Sequence, residues 1–170
     1  MLTLPVKNRR KKQPYLAIRS RLVNRQILKQ AQLFLPEIRK FMHEAGIADF
    51  GPSFFRYNAI SPAGEIDMEF GHFTDKLYTG SGPIRAGILP GGSFVSVAWT
   101  GHWEKLPDVS AMLMGWGEMK GVGWDCASTE AGLIFGCRID IFHTSAPDKP
   151  NPGESRTEVA LMLKADADAY

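Results

Sequence analysis

The alternation of hydrophobic and polar positions divides the chain into strands and two long helices. A period of two predicts strands at residues 14–23, 53–60, 65–73, 93–100, 136–144 and 156–163, with a further short strand at 84–88. Apolar residues at helical spacing predict one helix that is capped by Asn24 and ends at Gly46, and another that opens at Pro107. Pro36 lies inside the first helix and is expected to kink it.

The order of these elements repeats. Strand, helix, strand and strand follow one another in residues 14–74 and again in residues 84–164. This order predicts an α+β fold with a duplicated strand-helix-strand-strand unit, in which six to eight strands form one antiparallel sheet with two main helices on one face. The other face is then expected to form a ligand groove, at the seam between the two halves.

Composition indicates an ordinary globular domain. The 170 residues are 44% hydrophobic and 22% charged, and no apolar run approaches the roughly 20 residues that span a bilayer. No secretory signal is visible, and the two cysteines, Cys126 and Cys137, fit a reducing cytoplasm. The four histidines lack ligand spacing, so neither a metal nor a cofactor is expected.

Positive charge is concentrated at the start of the chain. Five cations and no acid precede residue 13, which leaves the remainder at −3 out of a total of +2. Residues 1–13 are therefore predicted to be a basic flexible tail, and residues 14–165 a single domain. The tail is either a solvated terminus or a contact for nucleic acid or an acidic partner.

The last strand carries one isolated carboxylate. Thr157, Val159 and Leu161 fall on one side of this strand, whereas Glu158 and Ala160 fall on the other. A carboxylate among small apolar neighbours is either half-solvated or directed at a positive charge or a reacting atom. The alternative is an exposed side chain or an ion pair with an arginine such as Arg56 or Arg138.

Four segments resemble the GyrI-like small-molecule-binding domain, which is also the effector-binding half of AraC- and MerR-type multidrug-responsive activators. They are LPGGSFV at 89–95, TGHW at 100–103, RIDIF at 138–142 and RTEVAL at 156–161. The resemblance implies the same duplicated fold, a pocket for lipophilic and often cationic compounds, and a charge-recognising glutamate, here Glu158. Trp103 stands where the family usually has tyrosine, and Asp140 where glutamate is common. No helix-turn-helix precedes residue 14, so direct DNA binding is not expected.

Six side chains are candidates for the ligand site because they combine negative charge with flat aromatic surface. They are Glu158, Tyr57, Phe142, Trp103, Asp140 and Trp124. Asp140 is expected to lie near Glu158 as a second carboxylate, unless it pairs with Arg138. For the aromatic residues the alternative is ordinary core packing.

Three functions remain open at this point. The first is a stand-alone cytoplasmic domain that binds lipophilic, planar, cationic small molecules, for sequestration or effector sensing. The second, implied by the resemblance to stand-alone members of the family, is a hydrolase of electrophilic cyclopropane-bearing genotoxic compounds, in which Glu158 would activate or position water and Trp103 would orient the substrate. The third is a protein-interaction module, such as the gyrase modulator that the resemblance implies. A membrane association is not expected.

Overall fold

The computed structural model describes residues 1–148 and 155–165. Its ten strands and two helices are β1 (Val6–Arg10), β2 (Gln13–Leu22), α1 (Ile27–Glu44), β3 (Ser53–Ile60), β4 (Ile66–Phe73), β5 (Arg85–Leu89), β6 (Gly92–Thr100), α2 (Leu106–Met119), β7 (Cys126–Thr129), β8 (Gly132–Phe135), β9 (Arg138–Phe142) and β10 (Arg156–Met162). A short 3₁₀ turn precedes each helix, at Asn24–Gln26 and Trp103–Lys105. None of the helices in these two ranges is long and apolar enough to cross a membrane.

The strands form one curled antiparallel sheet in the order β1-β6-β10-β9-β3-β4-β2-β5, and the β7–β8 hairpin pairs with β3. The two halves meet where β9 pairs with β3. Outward from this seam the sequence β9, β10, β6 mirrors β3, β4, β2, which confirms the predicted duplication. The sheet has ten strands rather than six to eight, because the sequence pattern did not predict β1, β7 or β8.

The helices cover one face of the sheet. Apolar side chains at helical spacing on α1, such as Ile27, Ala31 and Leu35, pack with those of α2 and with the β3 residues Phe55 and Tyr57. Helix α1 continues through Pro36 and ends at Glu44, as the sequence predicted, just before a left-handed glycine at position 46.

The opposite face is filled by its own side chains. Residues from strands far apart in the sheet order, including Tyr15 on β2, Phe54 on β3 and Phe94 on β6, form a second buried cluster with Ile139 and Ile141 of β9. These strands meet because the sheet curls, and curling removes the apolar face from water without any ligand. The groove expected on this face is therefore occupied by core packing.

The basic segment at the start of the chain is part of the sheet. Val6–Arg10 pairs with β6, Asn8 Nδ2 donates to Ser96 Oγ at 3.0 Å, and the Arg10 guanidinium lies over the Phe94 ring at 5.4 Å. The prediction of a flexible tail over residues 1–13 is thus corrected. The edge of β6 requires hydrogen-bond partners, and β1 supplies them despite its charge.

Candidate functional site

A pocket of about 370 Å³ lies at the seam between the halves, on the helix side of the sheet. The first turns of both helices and the central strand β3 line it, through Asn24, Arg25, Ile27, Leu28, Phe55, Tyr57, Trp103, Glu104, Leu106 and Pro107. The sequence predicted a ligand groove at this seam, and the pocket lies there. It lies, however, on the helix-covered face of the sheet and not on the opposite face, where the groove was expected. Because the duplication relates the two halves about the seam, the starts of α1 and α2 approach each other across β3.

The 3₁₀ turn before α2 places Trp103 at the wall of this pocket. His102 caps the turn, since its Nδ1 accepts a hydrogen bond from the Glu104 backbone N–H at 3.4 Å, and its ring lies 5.9 Å from the Trp103 ring. Arg25 from the other half contributes a cation to the same pocket, opposite in sign to Glu104. The pocket therefore combines aromatic walls with one charge of each sign.

Beneath the pocket, Tyr57 is hydrogen-bonded to a buried acid. Its hydroxyl donates to Asp140 Oδ2 at 2.9 Å, and Asp140 is only 1% exposed. Burial raises the pKa of Asp140 to about 6, although the charge of Arg138 and the hydrogen bond from Tyr57 lower it. The second oxygen, Asp140 Oδ1, has no hydrogen-bond partner within the described residues. A buried acceptor in this state can accept one more hydrogen bond.

Arg138 supplies the positive charge next to this acid. It lies two positions from Asp140 on β9 and therefore on the same face. Its guanidinium carbon is 4.5 Å from the centre of the Tyr57 ring and 5.2 Å from that of Phe135. Tyr57 thus contacts the pocket, the acid and the arginine at once, and connects the three.

Glu158 lies on the other face of the sheet. In the β9–β10 register Glu158 is opposite Ile141, whereas Asp140 is opposite Val159. Cross-strand partners share a face, so the expected proximity of Asp140 and Glu158 is corrected. One carboxylate lies on each side of the sheet.

Glu158 has cationic and hydrogen-bonding partners of its own. Its carboxylate forms an ion pair with Arg10 of β1, and its Oε2 lies 2.9 Å from His143 Nε2. Burial raises the pKa of Glu158, but the hydrogen bond to His143 and the charge of Arg10 outweigh burial and lower this pKa to about 2. The carboxylate expected to recognise a ligand, or to act as a base, is thus held by side chains of the protein.

We expect Glu158→Gln to lower the free energy of unfolding by about 2 kcal/mol at pH 7, after allowance for solvent screening of this partly exposed group. A carboxyl with a lowered folded-state pKa contributes stability above its unfolded value near 4.5, and this contribution disappears as the pH falls towards 2. Urea unfolding at pH 7 and pH 3 measures the difference, with exposed Glu130→Gln as the control. An equal loss at both pH values contradicts the assignment.

Phe142 and Trp124 are core residues. Phe142 lies behind Phe55, edge to face at 4.7 Å, and is 3% exposed. Trp124 packs beneath α2, where Gly117 leaves room for the indole, and its Nε1 donates to the Met114 carbonyl at 3.4 Å. Of the six candidates, the pocket is thus lined by Tyr57 and Trp103, and Asp140 lies beneath it.

Several residues at this site were not placed there by sequence reasoning, and Phe55 and Arg138 matter most among them because both contact the Tyr57–Asp140 pair or its ring. Phe55 was visible in an aromatic-rich strand, and alternation along 53–60 puts it on the same face as Tyr57. Arg138 was considered only as a partner for a carboxylate. Its position over the Tyr57 ring depends on the β3–β9 pairing, which no local pattern reveals.

Solved structures share this fold. The chain aligns with the C-terminal domain of EcmrR with a TM-score of 0.69 and 15% identity, covering 95% of this chain and 97% of that domain. It aligns with EcmrR in a DNA complex with a TM-score of 0.73 and 16% identity, and spans 57% of that longer chain. The chain thus shares its fold with the EcmrR C-terminal domain, in agreement with the GyrI-like fold that the sequence motifs implied.

Two further proteins with this fold are a ligand-bound protein and a hydrolase. SAV2435, solved with bound tetraphenylphosphonium, aligns with a TM-score of 0.59 and 9% identity over 95% of this chain and 94% of its own. A hydrolase from Listeria innocua aligns with a TM-score of 0.60 and 13% identity over 94% and 91%. No protein-family model matches the sequence, and no curated protein does either.

Proposed function

We propose that this protein binds a small, lipophilic, aromatic molecule in the pocket between the first turns of α1 and α2. The observation that carries the proposal is the combination of aromatic walls, Phe55, Tyr57 and Trp103, with a buried acid reached through the Tyr57 hydroxyl. A volume of about 370 Å³ lies within the range of small-molecule sites, roughly 300–1,000 Å³. Tetraphenylphosphonium bound to SAV2435, a protein of the same fold, supports a lipophilic ligand here.

The narrower proposal is that the ligand carries a positive charge. Above pH about 6 Asp140 is ionised, and the faces of Tyr57 and Trp103 attract cations. Arg138 already balances Asp140, so the charge adds less to affinity than the apolar walls, which contribute about 25 cal/mol per Å² buried. In this proposal Asp140, and not Glu158 as expected from the sequence, recognises the charge of the ligand.

Trp103→Ala is expected to weaken binding of both tetraphenylphosphonium and the uncharged triphenylphosphine oxide by about tenfold or more, because both lose the same aromatic wall. Asp140→Asn is expected to weaken only the cation, by about threefold to tenfold, since the neutral compound has no charge to lose. Cation affinity should also fall as the pH drops through about 6, where Asp140 becomes protonated. Isothermal titration calorimetry measures all three effects.

Glu158→Gln is the matched control, because it removes one carboxylate on the opposite face of the sheet. It should leave both affinities unchanged at pH 7. If Asp140→Asn affects neither compound while Trp103→Ala weakens both, the pocket binds by shape alone and the narrower proposal is wrong. If Trp103→Ala affects neither compound, the pocket is not the binding site.

A further inference from the structure

The outer edge of β1 has the features of a strand that accepts another strand. β1 lies at one end of the strand order and pairs only with β6 within the described residues. Its outward N–H and C=O groups therefore have no sheet partner there. Such an edge is a template for an extended segment of another chain, because main-chain hydrogen bonds supply affinity without a preformed pocket.

The part of the chain that begins with this edge is strongly one-sided in charge. The first 36 residues hold nine of the 20 Lys and Arg residues and none of the 18 Asp and Glu residues, so the remaining 134 residues hold 11 cations and 18 acids. The nine cations are Lys7, Arg9, Arg10, Lys11, Lys12, Arg19, Arg21, Arg25 and Lys29. β1 and the two residues that follow it carry five of them. A partner that meets this edge is complementary if it is acidic.

Only some of these cations form ion pairs within the protein. Arg10 is directed inward to Glu158, whereas Arg9, Lys11 and Lys12 are exposed and have no ion-pair partner in residues 1–148 and 155–165. Two apolar side chains are also exposed along the same segment, Leu4 at 84% and Val6 at 57%. Cations and apolar side chains together match a segment that contains both acidic and aliphatic residues.

We propose that the outer edge of β1 binds an extended acidic segment of a partner protein, which joins the sheet as an additional strand. The interaction is independent of the seam pocket, which lies at the centre of the sheet. Two other roles for the same cations are outcomes of the test. Charged side chains on an edge strand can prevent pairing between copies of the chain, and a basic surface can contact a nucleic-acid backbone.

The experiment measures binding of a fluorescent peptide of alternating Glu and Val to the full chain by anisotropy, at an ionic strength of about 20 mM and again at about 150 mM. An otherwise identical peptide of alternating Glu and Pro has the same charge but donates no N–H from half its residues. A single-stranded oligonucleotide of equal charge is the third probe.

The variant is the triple Arg9, Lys11 and Lys12→Gln. Its matched control is the triple Lys29, Lys120 and Lys164→Gln, which also removes three exposed charges.

We expect the Glu–Val peptide to bind about tenfold more tightly than the Glu–Pro peptide, to weaken at the higher salt, and to lose about tenfold in the β1 variant but less than twofold in the control. Equal binding of the two peptides overturns strand addition. Tighter binding of the oligonucleotide overturns the acidic-protein partner. If no probe binds and the β1 variant forms dimers or larger species, the cations serve only to keep the edge unpaired, and the proposal is wrong.

Discussion

Replacing Arg138 by methionine is expected to lower the free energy of unfolding by about 2–3 kcal/mol at pH 8, because it removes the positive charge that lowers the pKa of the buried Asp140, and each pKa unit corresponds to about 1.4 kcal/mol. Methionine keeps an unbranched apolar chain against Tyr57 and Phe135, so the effect isolates the charge. Asp140 then lies buried without its nearby cation, so that at pH 8 it must either stay ionised at a cost or take up a proton. Urea unfolding monitored by tryptophan fluorescence measures the loss.

The pH dependence of this loss identifies its cause. Burial already raises the folded-state pKa of Asp140 above its unfolded value, so the folded protein binds this proton more tightly and is stabilised as the pH falls. Without the Arg138 charge the pKa of Asp140 rises further, and the carboxyl is neutral at pH 5. The destabilisation should therefore be much smaller at pH 5 than at pH 8. Arg156→Met, on the neighbouring strand and exposed, is the control and should change stability little at either pH. An equal loss for Arg138→Met at both pH values would show that packing, and not charge, explains the effect.

Asp140 and Glu158 affect stability in opposite directions as the pH changes, because one pKa is raised and the other lowered. Protonation of Asp140 near pH 6 stabilises the folded state, whereas protonation of Glu158 below pH 4.5 destabilises it. Taken together, these two groups favour maximal stability near pH 4, between their unfolded-state values of 3.8 and 4.5. The two carboxylates lie on adjacent strands but differ in environment. Asp140 is fully buried and is hydrogen-bonded to the neutral Tyr57, whereas Glu158 is partly exposed and is contacted directly by Arg10 and His143.

Much of the fold was predictable from periodicity. The alternating strands at 53–60, 65–73 and 156–163 and the apolar stripe from Ile27 to Met42 specify where each element lies and which face it buries. The repeated element order then specifies the duplication, and the seam follows from it. These features depend on residues close together in sequence, and for that reason a local pattern contains them.

The arrangement of the site depended on contacts that no local pattern contains. Alternation placed Glu158 correctly on the face away from the helices, but it gave no information on Arg10, which is 148 residues away in sequence. Asp140 was assigned to the same face as Glu158 because the register of β9 against β10 cannot be read from either strand alone. Whether an apolar sheet face is an open groove or a closed core likewise depends on curling, which the sequence pattern does not specify.

The run of positive charges at the start of the chain is a second case in which a contact between distant residues overrides the local sequence pattern. A sequence with five cations and few apolar residues is typical of a solvated terminus, and local composition supports nothing more. The structure places it on the edge of β6, where Asn8 and Arg10 turn inward to Ser96 and Glu158. Pairing with a strand that is distant in sequence outweighs the local preference for solvent.

Deleting residues 1–12 is therefore expected to lower the free energy of unfolding by about 3 kcal/mol. The deletion exposes Phe94, which is now 1% exposed beneath Arg10, removes the cation from Glu158, and leaves the edge of β6 without its hydrogen-bond partners. The control is the triple Arg9, Lys11 and Lys12→Gln in the full-length chain, which removes the exposed charges and keeps the strand. This variant should lose less than about 1 kcal/mol, because exposed charges without partners contribute little. Urea unfolding of both proteins at pH 7 distinguishes the two contributions. A deletion variant as stable as the full-length chain would mean that β1 pairs with β6 too weakly to contribute to the fold, and the edge that β1 offers to a partner would be equally unstable.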